Sequence, residues 1–344
     1  MTRYPLKASL LPLIGLFILA ADTSVAQERS VVFLPEIESS QATYHRPQKR
    51  IGRPRYFAPP KQTLGHSNVR SEFENYVVTN FLLADQNEPF VAINPLDPNN
   101  LVAGANDYRT DPNLWSYTSF DGGKTWKNQE LPVNTSLAIA TDPSLAFDRL
   151  GNVFYANGRY ATGGIPQRPN EVSVYKSTDK GDSWQLPTRP FQDTTNINGA
   201  QVLSDKYFIA VDHNAESPFK DRVYVAWAEI ANQKTRIVSS FSSNGGSSWS
   251  PRVQIAAPAN LTAPVPITAP NGDVYVTFID KSSAKQILAA RSSDGGQTFT
   301  APVRVANYKD LGPVVPPGHL DERPYIKDFI GVNSFPSIAV DHSS

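Results

Sequence analysis

The stretch that decides the fold is Ser119-Phe120-Asp121-Gly122-Gly123-Lys124-Thr125-Trp126, because closely similar phrases begin again at Ser177, Ser242 and Ser292. Each copy has Asp or Asn at its third position and a large aromatic ring at its eighth. Glycine permits the positive φ angles of a tight hairpin, and the Asp or Asn side chain can accept backbone N–H bonds across it. These positions are Asp121, Asp179, Asn244 and Asp294, followed by Trp126, Trp184, Trp249 and Phe299. We assign them a structural role.

A second unit precedes each phrase and consists of two apolar strands joined by a turn. Its four copies cover residues 90–94 and 101–105, 145–148 and 153–156, 208–212 and 223–227, and 265–268 and 274–278. A fifth copy opens at 335–341. Two strands followed by two more around a Gly-containing turn make a four-stranded antiparallel sheet.

The repeat predicts an all-β fold, a β-propeller with four complete blades and the start of a fifth. Blade-sized units that recur at a spacing of tens of residues are the sequence signature of propellers. The 20 Gly and 29 Pro fit a chain with many turns, and no amphipathic helical periodicity of useful length is present.

The pattern Ser-x-Asp-x-Gly-x-Thr-Trp resembles the Asp-box, or BNR repeat, of the sialidase-like propeller superfamily. Members of that superfamily usually have six blades, so the resemblance implies either a chain that continues or a closing strand supplied near 76–78. Asp-boxes also occur in propellers without glycosidase activity. The resemblance therefore implies the fold and leaves the activity open.

The remaining sequence divides into a leader and a linker. Arg3 and Lys7 precede an apolar run over 10–21, and the small residues Ser24-Val25-Ala26 follow. This order predicts a signal peptide over 1–26 and a secreted or periplasmic protein without a membrane span. Residues 27–81 are rich in Pro and Arg and predict mostly linker, and residues 82–344 form the propeller domain.

Composition excludes several classes of protein. The chain has no Cys and equal numbers of acidic and basic side chains, 32 of each. Disulfide scaffolds and thiolate metal sites are therefore excluded, and no global field attracts nucleic acid. We expect a glycan or protein ligand and no cofactor. A Ca²⁺ site formed by Glu88, Asp142 and Asp205 stays open as an alternative, since Ca²⁺ takes oxygen ligands.

The repeat register brings a set of polar residues to one end of the blades, where the first strands start and the second strands end. The catalytic candidates are Glu88, Asp107 and Asp142, and the candidates for ligand binding are Asn87, Tyr108, Arg109, Arg159, Tyr160, Asp205, Glu229, Asp280 and Arg323. Carboxylates, arginines and tyrosines are the groups that bind and cleave acidic sugars. They are also common on any polar rim.

Three functions remain open. The first is an exported propeller that binds a glycan or protein. The second is a glycoside hydrolase of the exo-α-sialidase type, and the third is a scaffold in a cell-envelope assembly. The resemblance implies an Arg clamp at the opening of blade one, where this chain has Asn87, and a Tyr nucleophile from last blades that this sequence does not contain. These departures favour binding over hydrolysis.

Overall fold

A computed structural model describes residues 38–39, 78, 86–110, 114–133, 137, 139–161, 170–193, 202–231, 234–309, 325–327, 330–331 and 336–340. The leader predicted over 1–26, Arg323 and nearly all of the segment predicted as linker lie outside these residues. Asn87 is described by its backbone only.

Sixteen strands form four antiparallel sheets, each with its strands in sequence order. Blade 1 contains β2 (Gln86–Asn94), β3 (Asp97–Asp107), β4 (Leu114–Ser119) and β5 (Lys127–Glu130), and blade 2 contains β6 (Ile139–Phe147), β7 (Val153–Tyr160), β8 (Asn170–Ser177) and β9 (Thr188–Asp193). Blade 3 contains β10 (Leu203–Val211), β11 (Val223–Ala231), β12 (Lys234–Ser242) and β13 (Val253–Ala259), and blade 4 contains β14 (Leu261–Thr268), β15 (Val274–Asp280), β16 (Gln286–Ser292) and β17 (Val303–Asn307). The four blades predicted from the repeats are confirmed.

Three short strands form a further sheet. They are β1 (Glu38–Ser39), β18 (Tyr325–Lys327) and β19 (Ile330–Gly331), in the order β1-β19-β18. Residues 336–340, where the sequence predicts the start of a fifth blade, have no regular structure. A β-strand exists only as a partner in a ladder, and none of the strands in the described ranges pairs with this segment.

Successive blades pack face to face through three apolar layers. The strand β7 illustrates the principle, because adjacent side chains of a strand point to opposite faces. Tyr155 belongs to the layer shared with blade 1, and Phe154 belongs to the layer shared with blade 3. A third layer joins blades 3 and 4 around Tyr224 and Phe278. Both faces of β7 are therefore buried along its whole length.

The repeated phrase forms the hairpin turn between the third and fourth strands of every blade. In blade 1, Asp121 Oδ1 accepts the backbone N–H of Thr125 at 2.9 Å and Oδ2 accepts its hydroxyl at 2.6 Å. The Ser119 hydroxyl accepts the N–H of Gly123 at 2.9 Å, and Gly123 has a φ of 90°. The bonds from Thr125 lower the pKa of Asp121 to about 2. The turn is thus closed by its own side chains.

The turns of blades 2, 3 and 4 are also held by the preceding blade. The Thr118 hydroxyl donates to the carbonyl of Gly181 in the turn of blade 2 at 2.8 Å. The Thr188 hydroxyl does the same for Gly246 of blade 3 at 2.7 Å. Trp184 of the blade 2 turn donates in return to Ser116 Oγ of blade 1 at 3.0 Å. The turns therefore join neighbouring blades, and they lie at the end of the blades opposite to the starts of the first strands.

Thr118→Val should destabilise the propeller by about 1–3 kcal/mol, because it keeps the side-chain volume and leaves the buried Gly181 carbonyl without the Thr118 donor. Thr298→Val is the matched control, since the exposed Thr298 hydroxyl bonds to Asp294 of its own turn and to no other described residue. Urea unfolding of both variants measures the difference. Equal stability losses would contradict a specific role of the contact between blades.

Candidate functional site

The first strand of each blade contains a bulge in which one residue other than glycine adopts a left-handed conformation. These residues are Glu88, Asp142, Lys206 and Ala263, with φ angles of 54°, 56°, 51° and 54°. The ladder to the second strand shifts its register at each of them. The first strands consequently start four to six residues earlier than the apolar pattern predicts, at Gln86, Ile139, Leu203 and Leu261. The bulge occupies an equivalent position in all four blades.

Three of these bulge residues bring charged side chains together. Lys206 Nζ of blade 3 lies 3.1 Å from Glu88 Oε1 of blade 1 and 3.4 Å from Asp142 Oδ1 of blade 2. Only 3 % of the Lys206 side chain is exposed, against 14 % for Glu88 and 12 % for Asp142. We call Glu88, Asp142, Lys206 and the adjoining Asp205 the bulge cluster. It unites two sequence-predicted catalytic candidates with one ligand-binding candidate and with Lys206.

A shallow depression that is open to solvent lies at the cluster. Its charged lining residues are Glu88, Asp142 and Lys206, and its apolar lining includes Phe90 and Phe208. The two phenyl rings come from blades 1 and 3 and meet edge to face, with their centroids 6.4 Å apart. The site therefore offers charged groups beside an apolar surface.

Asn106 holds two members of the cluster in place. Its Nδ2 donates to Glu88 Oε2 at 3.2 Å, and its Oδ1 accepts the backbone N–H of Asp142 at 2.9 Å. Asn106 is buried, and the positions that occupy the same register in blades 2, 3 and 4 are Gly158, Ala228 and Ile279. Sequence analysis missed this role. The available signal was an amide at a position where the other three repeats have small or apolar residues.

Asp205 carries the most perturbed carboxyl group of the cluster. Burial, together with the negative charge of Asp142, raises the pKa of Asp205 to about 7, although the Lys206 ammonium acts in the opposite direction. Its Oδ2 atom is buried and has no hydrogen-bond partner among the described residues. A protonated Asp205 can donate to Asp142, and burial of the neutral form costs much less than burial of a carboxylate.

Two buried tyrosines lie behind the cluster. The hydroxyl groups of Tyr160 and Tyr207 both donate to the carbonyl of Ser204 and lie within hydrogen-bonding distance of each other. Burial raises the pKa of both phenols above the usual range. Tyr160, a sequence-predicted ligand-binding candidate, is therefore held neutral inside the protein.

Asp107 and Arg109 form a separate ion pair at the end of β3. Arg109 Nη2 and Nε lie 2.6 and 2.8 Å from the same carboxylate oxygen, Asp107 Oδ2, which also accepts the Tyr117 hydroxyl at 2.5 Å. The guanidinium lies 4.1 Å from the centroid of the Trp115 ring. Burial acts to raise the pKa of Asp107, but the bonds from Arg109 and Tyr117 hold it below the usual value.

Arg159 is also engaged within the protein. It is fully buried, donates to the Tyr175 hydroxyl at 2.9 Å and to the Leu137 carbonyl, and lies 4.0 Å from Glu171. This arrangement fixes the guanidinium inside the layer between blades 1 and 2.

Glu229 is buried too and pairs with two arginines. Its Oε2 accepts Arg236 Nε at 2.8 Å, and its Oε1 pairs with Arg252. The structure thus gives this candidate carboxylate two protein cations as partners.

The last candidates are more peripheral. Asp280 accepts the N–H and hydroxyl of Ser282 at 2.8 and 2.9 Å within the loop that follows β15. Tyr108 is 41 % exposed.

Two features are absent from the described ranges, a cluster of metal ligands and a membrane-spanning helix. No group of three or more His, Cys, Asp or Glu side chains within them is arranged to hold a metal ion. The Lys206 ammonium lies between two of the three carboxylates proposed for Ca²⁺. The same residues include no helix that is long and apolar enough to cross a membrane.

Comparison with known proteins yields one curated relative at modest similarity. A xyloglucanase from Paenibacillus sp is 29 % identical over 225 residues, which cover 58 % of this chain and 19 % of the relative. The match therefore spans about a fifth of that protein's length. No protein-family model matches the chain.

Solved structures resemble the chain at lower identity. A protein of unknown function from Dyadobacter fermentans has a TM-score of 0.49 at 22 % identity, over 67 % of this chain and 71 % of its own. The α-L-arabinanase of Penicillium chrysogenum scores 0.48 at 16 % identity, over 63 % and 66 %. The Hadza microbial sialidase Hz136 scores 0.46 at 16 % identity, over 62 % and 45 %.

Asp205→Asn should remove a pH dependence of stability, because the amide has the same shape and cannot ionise. An Asp with a raised pKa stabilises the fold through its protonated form at about pH 4 and below, and this contribution is lost as the pH rises through about 7. The wild type should thus lose stability relative to Asp205→Asn between about pH 4 and 8, by a few kcal/mol at most.

Urea unfolding at several pH values in this window measures the effect. Asp121→Asn is the control, since the pKa of Asp121 is about 2 and its titration falls below the window. Parallel pH profiles for the wild type and Asp205→Asn would contradict the raised pKa.

Proposed function

We propose that this chain is a glycan-binding β-propeller and that the bulge cluster is its binding site. The observation that carries the proposal is the convergence of Glu88, Asp142 and Lys206 from three blades at one equivalent backbone position. A left-handed residue other than glycine costs about 1–3 kcal/mol, and such strain is concentrated at functional sites. Ala263 shows that the bulge belongs to the blade architecture. Blades 1, 2 and 3 add charged side chains at this bulge position.

The lining of the depression suits the two faces of a sugar. A pyranose ring has apolar C–H surfaces and an edge of hydroxyl groups that both donate and accept hydrogen bonds. Phe90 supplies an apolar contact, Glu88 and Asp142 accept hydrogen bonds, and Lys206 donates them. A few polar groups beside an apolar surface are typical of small-molecule sites.

Three further points bear on the proposal, and the first of them concerns the ligand. The relative that the chain matches at 29 % identity is a xyloglucanase, so we include xyloglucan among the ligands to be tested. The hydrogen bonds of Asp121 and its equivalents are those expected of Asp-boxes, which supports our assignment of these turns as BNR repeats. The predicted leader over 1–26 agrees with export to a compartment where polysaccharides occur.

Isothermal titration with xyloglucan oligosaccharides, cellotetraose and lactose tests the binding proposal. Glu88→Gln should weaken binding at least tenfold, about 1.4 kcal/mol, because it replaces a charged acceptor with a neutral amide. The double variant Asp97→Asn, Asp182→Asn is the control, since these exposed side chains pair with Lys180 and Lys127 at the opposite end of the blades. Unchanged affinity in Glu88→Gln, or no glycan binding by the wild type, would contradict the proposal.

Hydrolysis of a glycosidic bond is the second candidate function, and the pairing of Asp205 with Asp142 is what favours it. Glycosidases commonly use two carboxyl groups, one that gives a proton and one that acts as base or nucleophile. Asp142 lies beside the protonated Asp205, and the distances from Lys206 place Glu88 Oε1 within about 6.5 Å of Asp142 Oδ1. In this assignment the proton of Asp205 passes through Asp142 to the leaving group, and Glu88 is the base or nucleophile.

The sialidase form of this reaction has less support. It requires a Tyr nucleophile, but Tyr160 and Tyr207 are buried, bonded to Ser204 and kept neutral by their surroundings. We therefore propose testing neutral polysaccharides as substrates before sialosides.

Release of reducing ends from xyloglucan measures the hydrolase candidate. Asp142→Asn should lower the rate at least a hundredfold while it retains glycan binding, because the amide cannot transfer a proton. Asp280→Asn is the control, since its carboxylate bonds to Ser282 in a loop. Binding without turnover in the wild type would leave binding as the function and reject hydrolysis.

A further inference from the structure

We infer that the bulge cluster selects uncharged sugars and rejects sugars that carry a carboxylate, such as sialic acid or a uronic acid. The inference rests on the proposed glycan-binding function and goes further by naming the chemical class of the ligand. It depends on the charge of the cluster, on the partners of Lys206 and on the positions of two arginines.

The fixed charge of the cluster is negative. Glu88 and Asp142 carry one negative charge each, and Lys206 cancels only one of them. All three side chains are at least 86 % buried. Screening by water and salt is weak at such depth. A ligand carboxylate would therefore meet an uncompensated negative charge.

The single ammonium of the cluster is already engaged by protein carboxylates. Lys206 Nζ lies between Glu88 and Asp142, so it serves as their internal counterion. An ammonium has three N–H bonds to donate, and the two carboxylates take up at least two of them. An incoming anion would therefore meet an ammonium whose positive charge two protein carboxylates already share.

Two of the three arginines that the sequence places at this end of the blades bind elsewhere, and the third, Arg323, lies outside the described residues. Arg109 directs Nε and Nη2 at Asp107, and Arg159 is fully buried against Tyr175 and Leu137. Carboxylate recognition commonly uses a planar guanidinium that donates two parallel hydrogen bonds. Both side chains have committed these donors to the protein itself.

Hydroxyl groups, by contrast, match what the cluster leaves open. An ionised carboxylate has about four acceptor positions. At Glu88, Asn106 occupies one position on Oε2 and Lys206 occupies one on Oε1. Sugar hydroxyls can donate to the remaining positions, whereas a sugar carboxylate at neutral pH has no proton to give. The acceptors of the cluster therefore distinguish the two kinds of sugar.

The test compares ligands that share a core and differ in charge. Lactose with 3′-sialyllactose, and cellotetraose with its C6-carboxylate form, are titrated calorimetrically into the full chain. We expect the neutral member of a pair to bind at least tenfold more tightly than the acidic member. Higher salt should leave most of this difference in place, because charges that are at least 86 % buried are only weakly screened.

A charge-reversal variant sharpens the test. Glu88→Gln with Asp142→Asn preserves side-chain shape and leaves Lys206 as a net positive charge, so the ratio of neutral to acidic affinity should fall at least tenfold. Asp97→Asn with Asp182→Asn removes the same charge at the opposite end of the blades and should leave the ratio unchanged. Thermal unfolding verifies that both double variants fold. If Glu88→Gln with Asp142→Asn does not fold, the ratio of neutral to acidic affinity in the wild type and the salt dependence of that ratio still test the inference.

The possible outcomes distinguish failure of the selectivity from failure of the proposed glycan-binding function. Equal or tighter binding of the acidic ligands by the wild type would overturn the selectivity and leave glycan binding intact. An unchanged ratio in the folded charge-reversal variant would also overturn it. Absence of binding to both neutral and acidic ligands would overturn the glycan-binding proposal and this inference with it.

Discussion

The left-handed residue in the first strand of each blade is the constraint on which the site depends. An unbroken strand alternates its side chains between two faces, and both faces of a propeller blade are occupied by neighbouring blades. At Glu88, Asp142 and Lys206 the bulge interrupts this alternation and shifts the register to the second strand. Their side chains therefore meet across three blades. Phe90 and Phe208, two residues further along their strands, meet beside them.

The opposite end of the blades has a different task. There the turns that contain Asp121 and its equivalents close on themselves through side-chain bonds. The turns of blades 2, 3 and 4 also accept bonds from the preceding blade, as in the contact from Thr118 to Gly181. Backbone carbonyl groups in the turns thus add to the apolar packing that holds neighbouring blades together. Residues at the bulge end can vary with less effect on this packing, which is how one architecture accommodates different sites.

The sequence predicted the parts of this architecture that depend on local patterns. Tight turns need glycine and Asp or Asn, and strands need apolar runs, so the blades and the position of Asp121 in a hairpin could be read directly. Glu88, Asp142 and Asp205 were also placed at one end of the blades by counting from the repeat. The pairing of Lys206 and the contacts of Asn106 could not be predicted, because both depend on how one sheet sits against another. The burial of Arg159 could not be predicted for the same reason, since the sequence alone does not distinguish a buried arginine from an exposed one.

Ala263 makes the bulge position of blade 4 chemically different from those of the other three blades. Blades built from one repeated plan present nearly the same backbone at each step around the axis, and such quasi-symmetry by itself would let a ligand bind in several equivalent rotations. The bulge residues of blades 1 to 4 carry a carboxylate, a carboxylate, an ammonium and a methyl group. A rotation by one blade therefore does not superimpose identical chemical groups at all four positions. A polysaccharide has two chemically distinct ends. Under the proposed function, such a chain would meet a different order of chemical groups in each of its two polarities.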